Sequence, residues 1–376
     1  MAFSARKDWF AELFGFPEGE YDITKRQLQV EEDPADPGMK IMKGPNGRTF
    51  RAGRFSTPSL AELRACPECA AAVKGKLRVT NVIGDVAAKL ADRENRHATF
   101  QVASQFNCLE FVGPSVTPEH GITGYVMDRT QGPACSIACG PATAFRNYFA
   151  PVRRPDGKWT EGQRKELQIE NLEDLSAELC QMRATPGDKL GVAPFFQVRG
   201  GYSEADSGQL KRLNAFLETL GEDGLDRLRS KLRIGVHADV EVTSMAWGAK
   251  LLNNPDQLVT QVFGSACAVG YSRDSTKAEW EKLATLILEA SYEATLLAAL
   301  RQSVRHRGGG GSKKVFLTLL GGGVFGNSID WIIGAMHRAF SCLRHADLDV
   351  HIVTYAGSPA PGLMQLEEEF SPKAAF

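Results

Sequence analysis

Apolar residues along the chain repeat at two periods, and the switches between them mark its elements. Leu77-Arg78-Val79-Thr80-Asn81-Val82-Ile83 alternates and is rich in β-branched residues, which predicts a strand closed by Gly84-Asp85. Val86 to Ala91 follows as a short helix. Ala98 to Ala103 reads as a buried strand with Ser104-Gln105-Phe106-Asn107 at its C-terminal end. Residues 113–133 carry Gly113-Pro114, Gly121, Gly124 and Gln131-Gly132-Pro133, the marks of a long loop or hairpin insertion. Small residues from Ala134 to Ala144 then lead into Phe145-Arg146-Asn147-Tyr148-Phe149, a helix start in close packing. Residues 151–165 are loop-like, and helices are expected at 171–184 and 206–220. In the second of these Leu210, Leu213, Phe216, Leu217 and Leu220 recur at helical spacing.

The C-terminal half is more sharply patterned. Leu232 to Thr243 alternates as a strand, and Leu258 to Tyr271 is a second apolar strand. A long helix from Glu279 to Gln302 keeps Trp280, Leu283, Ile287, Ala290 and Ala294 on one face. Arg307 to Ser312 is a glycine-rich tip. Val315 to Leu320 is a continuous strand that runs into Gly321-Gly322-Gly323-Val324-Phe325-Gly326, followed by a helix from Ile329 to Leu343 and a strand from Val350 to Tyr355. Strand, glycine loop, helix, strand is a parallel α/β unit.

Residues 1–76 differ: they are polar and interrupted by Pro34, Pro37, Gly38, Gly44, Pro45 and Gly47, with short helical pieces around Trp9 to Phe14 and Ser59 to Val73. They read as an N-terminal extension packed on a core domain spanning 77–357, with 358–376 as a tail. The chain has 376 residues, 43% hydrophobic and 24% charged, so it can bury a large core without staples. Its 44 basic and 45 acidic residues leave a net charge of −1, which argues against nucleic acid or a membrane as a whole-protein partner. No signal-peptide core and no apolar run of membrane-spanning length stand out. The eight cysteines are scattered, as in a reduced, cytoplasmic protein. Cys66 and Cys69 form a lone CxxC, and zinc would need two further ligands at matching spacing, so no metal is expected.

A buried strand that delivers glycines to a helix N-terminus is built to approach an anion: the backbone comes close, and free N–H groups and the helix dipole favour negative charge. The loop is neither a Walker A sequence nor the GxGxxG of a dinucleotide fold. With Gly84-Asp85-Val86 before it, a polar, Asn-bearing strand end and Thr130-Gln131-Gly132-Pro133-Ala134-Cys135 between, and Gly322-Gly323-Val324-Phe325-Gly326 last, the order resembles the macrodomain superfamily. The stretches Ala103 to Glu110, Thr130 to Cys135 and Leu319 to Asn327 are most similar to a divergent group of it that contains a bacterial effector hydrolysing ADP-ribose from arginine on ubiquitin. The Asn-Ala-Ala-Asn of common macrodomains is absent, as is the Gln-Glu-Glu that follows the glycine loop in poly(ADP-ribose) glycohydrolases.

The resemblance implies a three-layer α/β/α macrodomain-like mixed sheet, with insertions near 113–133 and 160–230. It implies ADP-ribose as ligand, with no cofactor, and ADP-ribosylated protein, ubiquitin among the candidates, as partner. Asp85 would accept from the adenine amino group and Val86 would offer backbone contacts. Asn107 would bond the distal ribose. Gly321, Gly322, Gly323, Val324, Phe325, Gly326 and Asn327 would form the pyrophosphate and ribose loop. Hydrolysis needs a carboxylate near the anomeric carbon. Asp239 and Glu241, two apart in a strand and so on one face with His237, are the first and second choices. Asp330, in the first turn after the glycine loop, is the third, although a carboxylate there also suits the helix dipole. Two functions lead: an ADP-ribosylhydrolase releasing mono-ADP-ribose from arginine by water attack at the distal ribose, and a reader that binds without cleaving; a third, an enzyme acting on O-acetyl-ADP-ribose or poly(ADP-ribose), is disfavoured by the two missing motifs.

Overall fold

The computed structural model describes residues 8–72, 74–183 and 193–371, so Val73 and position 184, the expected ends of two helices, lie outside the described residues. Nine strands form one central sheet: β1 (Gln29–Glu32), β2 (Lys40–Lys43), β3 (Thr49–Ser56), β4 (Arg78–Ile83), β5 (Thr99–Ala103), β6 (Gly235–Glu241), β7 (Leu258–Gly264), β8 (Lys314–Leu317) and β9 (Asp349–Thr354). Their order is β1-β2-β3-β6-β7-β5-β8-β9-β4. From β7 to β4 all pairings are parallel, and β6 and β3 add antiparallel neighbours on the other side. The expected mixed α/β sheet is therefore what the chain forms.

Helices cover both faces, as the apolar runs of the central strands require. On one face lie α1 (Val86–Ala91), α2 (Gln131–Ala138) and α3 (Gly140–Tyr148), packed on Phe100, Val102 and Phe316. On the other lie α4 (Lys277–Arg305) and α5 (Ile329–Cys342), packed on Val79, Val315, Leu317 and Val350. Helix α4 starts in a capping box, in which Thr276 and Glu279 satisfy each other's backbone amides. It is long and apolar enough to cross a membrane, contrary to the expectation from the sequence, but 89% of its most apolar window is buried inside the protein. It is the central helix of the core.

Several elements depart from the sequence reading. The N-terminal 76 residues contribute three strands to the main sheet, with Val236, His237 and Ala238 of β6 paired to Ser56, Phe55 and Arg54. A helix at Glu222–Ser230 follows the expected one, which spans Ser207–Glu218. The tail contains α6 (Pro361–Phe370), whose Leu363, Leu366 and Phe370 are buried at helical spacing. It covers the edge strand β4, where Glu367 accepts from the Asn81 backbone and side chain and Ser371 accepts from the Val79 amide. An edge strand presents unpaired backbone groups, and this helix answers them.

Replacing Phe370, which is packed edge-on against Phe340 at 5.4 Å between ring centroids, with Ala is expected to cost about 3 kcal/mol of stability. Urea denaturation would show it as a lower midpoint with an unchanged slope.

Candidate functional site

Five parallel strands end on the same side, and the residues just beyond their C-termini line one cleft. Gly84 and Asp85 come from β4, Ser104 and Gln105 from β5, Ser265 and Ala266 from β7, Thr318 to Leu320 from β8 and Tyr355 from β9. This is where open parallel sheets bind ligands, because the connections diverge there and leave a crevice. The cleft has two chambers that share Thr130, Gln131, Thr318 and Leu319.

The first chamber holds Asp85 and Val86. Asp85 caps α1 by accepting from the Ala87 amide at 2.9 Å through Oδ1, leaving its other oxygen uncommitted to that bond. Trp247 also lines this chamber, with the Arg129 guanidinium 4.7 Å from its ring centroid. An aromatic ring and a carboxylate in one chamber suit a flat heterocycle with an exocyclic amine.

The waist is made by two chain reversals. In the glycine loop the Gly322, Gly326 and Asn327 amides bond within the loop, whereas among the described residues the amides of Gly323, Val324 and Phe325 donate to no protein group. Gly321 has φ +69°, and a side chain there would come within 2.5 Å of Ala266 and Asn327. Asn327 is buried and braces the loop by donating to the Cys267 carbonyl at 2.8 Å. From below, the Tyr292 hydroxyl donates to the Thr318 carbonyl at 2.8 Å and accepts from the Leu320 amide at 3.0 Å. Across the waist, α2 presents its N-terminus. Gln131 locks it to β5, accepting from the Ala103 amide at 2.8 Å and donating to the Gln101 carbonyl at 2.9 Å. A Cβ on Gly132 would lie 1.9 Å from the Ala103 carbonyl oxygen, so only glycine permits this seating.

The second chamber is aromatic on one side, where Phe325 meets Tyr202 and Tyr271 at 5.5 and 5.6 Å. Glu110 lies in its lining with 1% of its surface exposed. Neither carboxylate oxygen has a hydrogen-bond partner in good geometry; Arg146 stands 3.6 Å away, and the Ser136 and Tyr125 hydroxyls are the other polar neighbours. Burial pushes the Glu110 carboxyl from 4.5 up to about 7, against the opposing charge of Arg146 and weaker hydrogen bonding from Ser136, Tyr125 and Arg146. Arg146 is itself fully buried, donating to the Cys108 carbonyl at 2.9 Å, Ser136 at 3.0 Å and Thr143 at 3.2 Å, over the face of Phe263. The Tyr125 hydroxyl accepts from the Glu110 amide at 2.9 Å. The segment carrying Tyr125 is tied to the N-terminal region: Glu18 accepts from the Ile122 and Thr123 amides at 2.9 and 2.6 Å and from the Tyr148 hydroxyl at 2.6 Å. Residues near the N-terminus thus help to build the chamber.

The carboxylates chosen from the sequence are elsewhere. Strand β6 runs antiparallel to β7, and Glu241 pairs with Leu258, so it sits at the end of the sheet away from the cleft, roughly 20 Å along the strand. Its carboxylate accepts from the Arg51 amide at 3.0 Å. Asp239 has φ +58° in a bulge, which breaks the alternation and turns His237 to the opposite face, against Phe55 and Phe145. Asp239 is bonded to His306 and Arg54, both at 2.6 Å, and lies 3.2 Å from Arg305. Burial pushes its carboxyl up, but the His306 hydrogen bond and these charges overcome that and hold it below the ordinary carboxylate range. His97, Asp239 and His306 bring ligand-type atoms within 4.8 Å of one another, yet two guanidiniums already face the carboxylate, a poor setting for a divalent cation. Asp330 is exposed in the first turn of α5 and lines neither chamber. Asn107 is buried behind the cleft, donating to Gln168 at 2.7 Å and accepting from the Leu109 amide. Gly321, Gly323, Val324 and Phe325 do line the cleft, with Asp85 and Val86. Gly322 and Gly326 shape the turn without lining it.

No protein-family model and no curated protein matches the chain. Among solved structures it is similar to poly(ADP-ribose) glycohydrolase from Thermomonospora curvata, with 15% identity over 96% of both chains and a TM-score of 0.41. It is also similar to that enzyme bound to the inhibitor ADP-HPD, at 15% identity over 96% of both chains with a TM-score of 0.40. A third is poly(ADP-ribose) glycohydrolase from Deinococcus radiodurans in complex with ADP-ribose, at 13% identity over 84% of this chain and 94% of that one, TM-score 0.40. Likeness this distant says nothing about which residues act, and the site stands on its own geometry.

The raised Glu110 carboxyl sets a pH dependence of stability. Below pH 4.5 folded and unfolded chains both hold the proton, so no penalty exists there. Between 4.5 and about 7 only the unfolded chain releases it, and above 7 the folded state carries the full cost, on the order of 3 kcal/mol. Glu110→Gln is therefore expected to gain stability relative to the parent as pH rises from 5 to 8, by denaturant titration at each pH; a pH-independent difference would contradict the burial argument. Gly132→Ala is expected to destabilise by more than about 2 kcal/mol, because the Cβ meets a backbone carbonyl.

Proposed function

We propose that the chain is an ADP-ribosylhydrolase that releases mono-ADP-ribose from arginine side chains of a protein. The observation that carries the hydrolase reading is Glu110, a buried carboxyl with only long, poorly aligned polar contacts, in a chamber that opens beside a free-amide anion cradle. A buried carboxylate so loosely paired is costly, and catalytic acids and bases are among the few roles that need one. The sequence motifs support ADP-ribose as the ligand. The arginine linkage, and ubiquitin as a carrier, are supported by the motif resemblance alone.

In this reading the adenine stacks against Trp247 and donates its amino group to Asp85. The pyrophosphate meets the amides of Gly323, Val324 and Phe325 on one side and the N-terminus of α2 on the other. The distal ribose lies against Phe325 with its anomeric carbon above Glu110. Ionised Glu110 takes a proton from water as the water oxygen bonds to the anomeric carbon. The carbon–nitrogen bond breaks, its electron pair leaves with the guanidine nitrogen, and the proton held by Glu110 passes to that nitrogen. A carboxyl near pH 7 is matched to both halves of this transfer, and its charge stabilises the oxocarbenium-like transition state. Phe325, Tyr202 and Tyr271 keep bulk water from the bond.

Glu110→Gln is expected to lower kcat at least 100-fold on ADP-ribosyl-arginine protein while the calorimetric Kd for ADP-ribose stays within about threefold. Asp239→Asn, at the far end of the sheet, is expected to leave kcat unchanged. Tight binding by a parent protein with no turnover would instead identify a reader, and absence of ADP-ribose binding at millimolar concentration would overturn the ligand assignment. Asp85→Ala is expected to weaken ADP-ribose about tenfold and to leave ribose 5-phosphate binding unaltered.

A further inference from the structure

Next to the aromatic side of the second chamber a groove runs on across the surface, and Tyr202 and Tyr271 line both. Its walls come from the Gln197–Arg199 and Tyr202–Glu204 hairpin, the start of the helix at Ser207–Glu218 and the turn at 271–274. The groove begins at the distal-ribose chamber, opposite the adenine end, so it receives whatever is attached to the anomeric carbon.

Its charge decides between two occupants. Glu204, Asp206 and Asp274 line it against Arg199 and Arg273, and Arg199 is paired with Glu204 at 3.4 Å. Asp128 adds a further carboxylate in the adjoining chamber. A second ADP-ribose unit would bring a pyrophosphate dianion onto this acidic surplus, and phosphate-binding tracks carry the opposite sign. A cationic side chain fits it. Tyr271, 43% exposed at the junction, offers a ring face on which a guanidinium can lie. The rim is also apolar: of the large hydrophobic side chains that stand exposed among the described residues, Val112, Val324 and Tyr271 line this one chamber. Apolar groups around a polar pocket mark surfaces that meet protein.

We propose that this groove is the acceptor subsite, holding a polypeptide segment that carries the modified, positively charged side chain, and that it selects conjugates of protein over chains of ADP-ribose. The assignment rests on the proposed hydrolase reading. Its test compares three substrates, an arginine-ADP-ribosylated protein, the small conjugate ADP-ribosyl-arginine, and poly(ADP-ribose), with the full-length parent, Asp274→Lys and Glu204→Lys. Asp274 is exposed, so its reversal leaves the fold intact, and unchanged ADP-ribose affinity checks this for both variants.

The expected result is a lower KM for the protein than for the small conjugate in the parent, and a roughly fivefold rise in KM for the protein alone in each variant, a typical weight for one rim charge. Equal KM values for protein and small conjugate that neither reversal changes would overturn the subsite while leaving the hydrolase intact. So would preferred cleavage of poly(ADP-ribose) that either lysine accelerates. A parent that turns over none of the three would bring down the hydrolase reading itself, and the subsite with it.

Discussion

Arg146 is the interaction on which the rest of the molecule turns. A guanidinium with no solvent contact is costly unless its donors are used; here Nε and Nη2 reach the loop after β5, helix α2 and helix α3, Nη1 is left without a partner, and the cation lies over Phe263 of β7. One side chain thereby ties α2, whose N-terminus faces the glycine loop, to the loop after β5 that carries Glu110. Its charge also makes the burial of Glu110 tolerable without neutralising it fully, since 3.6 Å is too long for a bidentate pair.

Around that centre the architecture divides its labour. The parallel strands deliver short polar ends to one side, and the antiparallel additions β6 and β3 extend the sheet without adding to the cleft. The bulge at Asp239 and its ion-pair cluster join the N-terminal strands to the end of α4, so that region is an anchor for the fold. The N-terminal helical segment reaches the other way. Through Glu18 it holds the loop whose Tyr125 fixes the Glu110 backbone. A stretch that is polar and broken in sequence therefore serves both ends of the molecule.

Periodicity and punctuation in the sequence determined a good deal. The alternation in 77–83, the apolar run before Gly321, and the helical spacing from Trp280 to Ala294 each rest on local physics, and those elements form where they were expected. The glycine loop was legible because conformational freedom and free amides are properties of the local chain, whereas Asp85 was singled out only by its place in a motif resemblance. Helix α6 was missed although Leu363, Leu366 and Phe370 carry the pattern, since a tail so short gains its helicity only from packing on β4.

The catalytic candidate was decided by tertiary structure. Strand spacing put Asp239 and Glu241 on one face, but spacing carries no information on which end of a sheet a strand delivers, and the antiparallel direction of β6 sent them away from the cleft. Glu110 offered only a faint signal, one acid between Leu109 and Phe111 in an apolar run. Its burial, its distance from Arg146 and its place in the same chamber as the glycine loop depend on contacts between segments far apart in the chain. Local sequence fixes where a chain turns and which side chains alternate. Which carboxylate is stripped of water is settled only when the elements close around it.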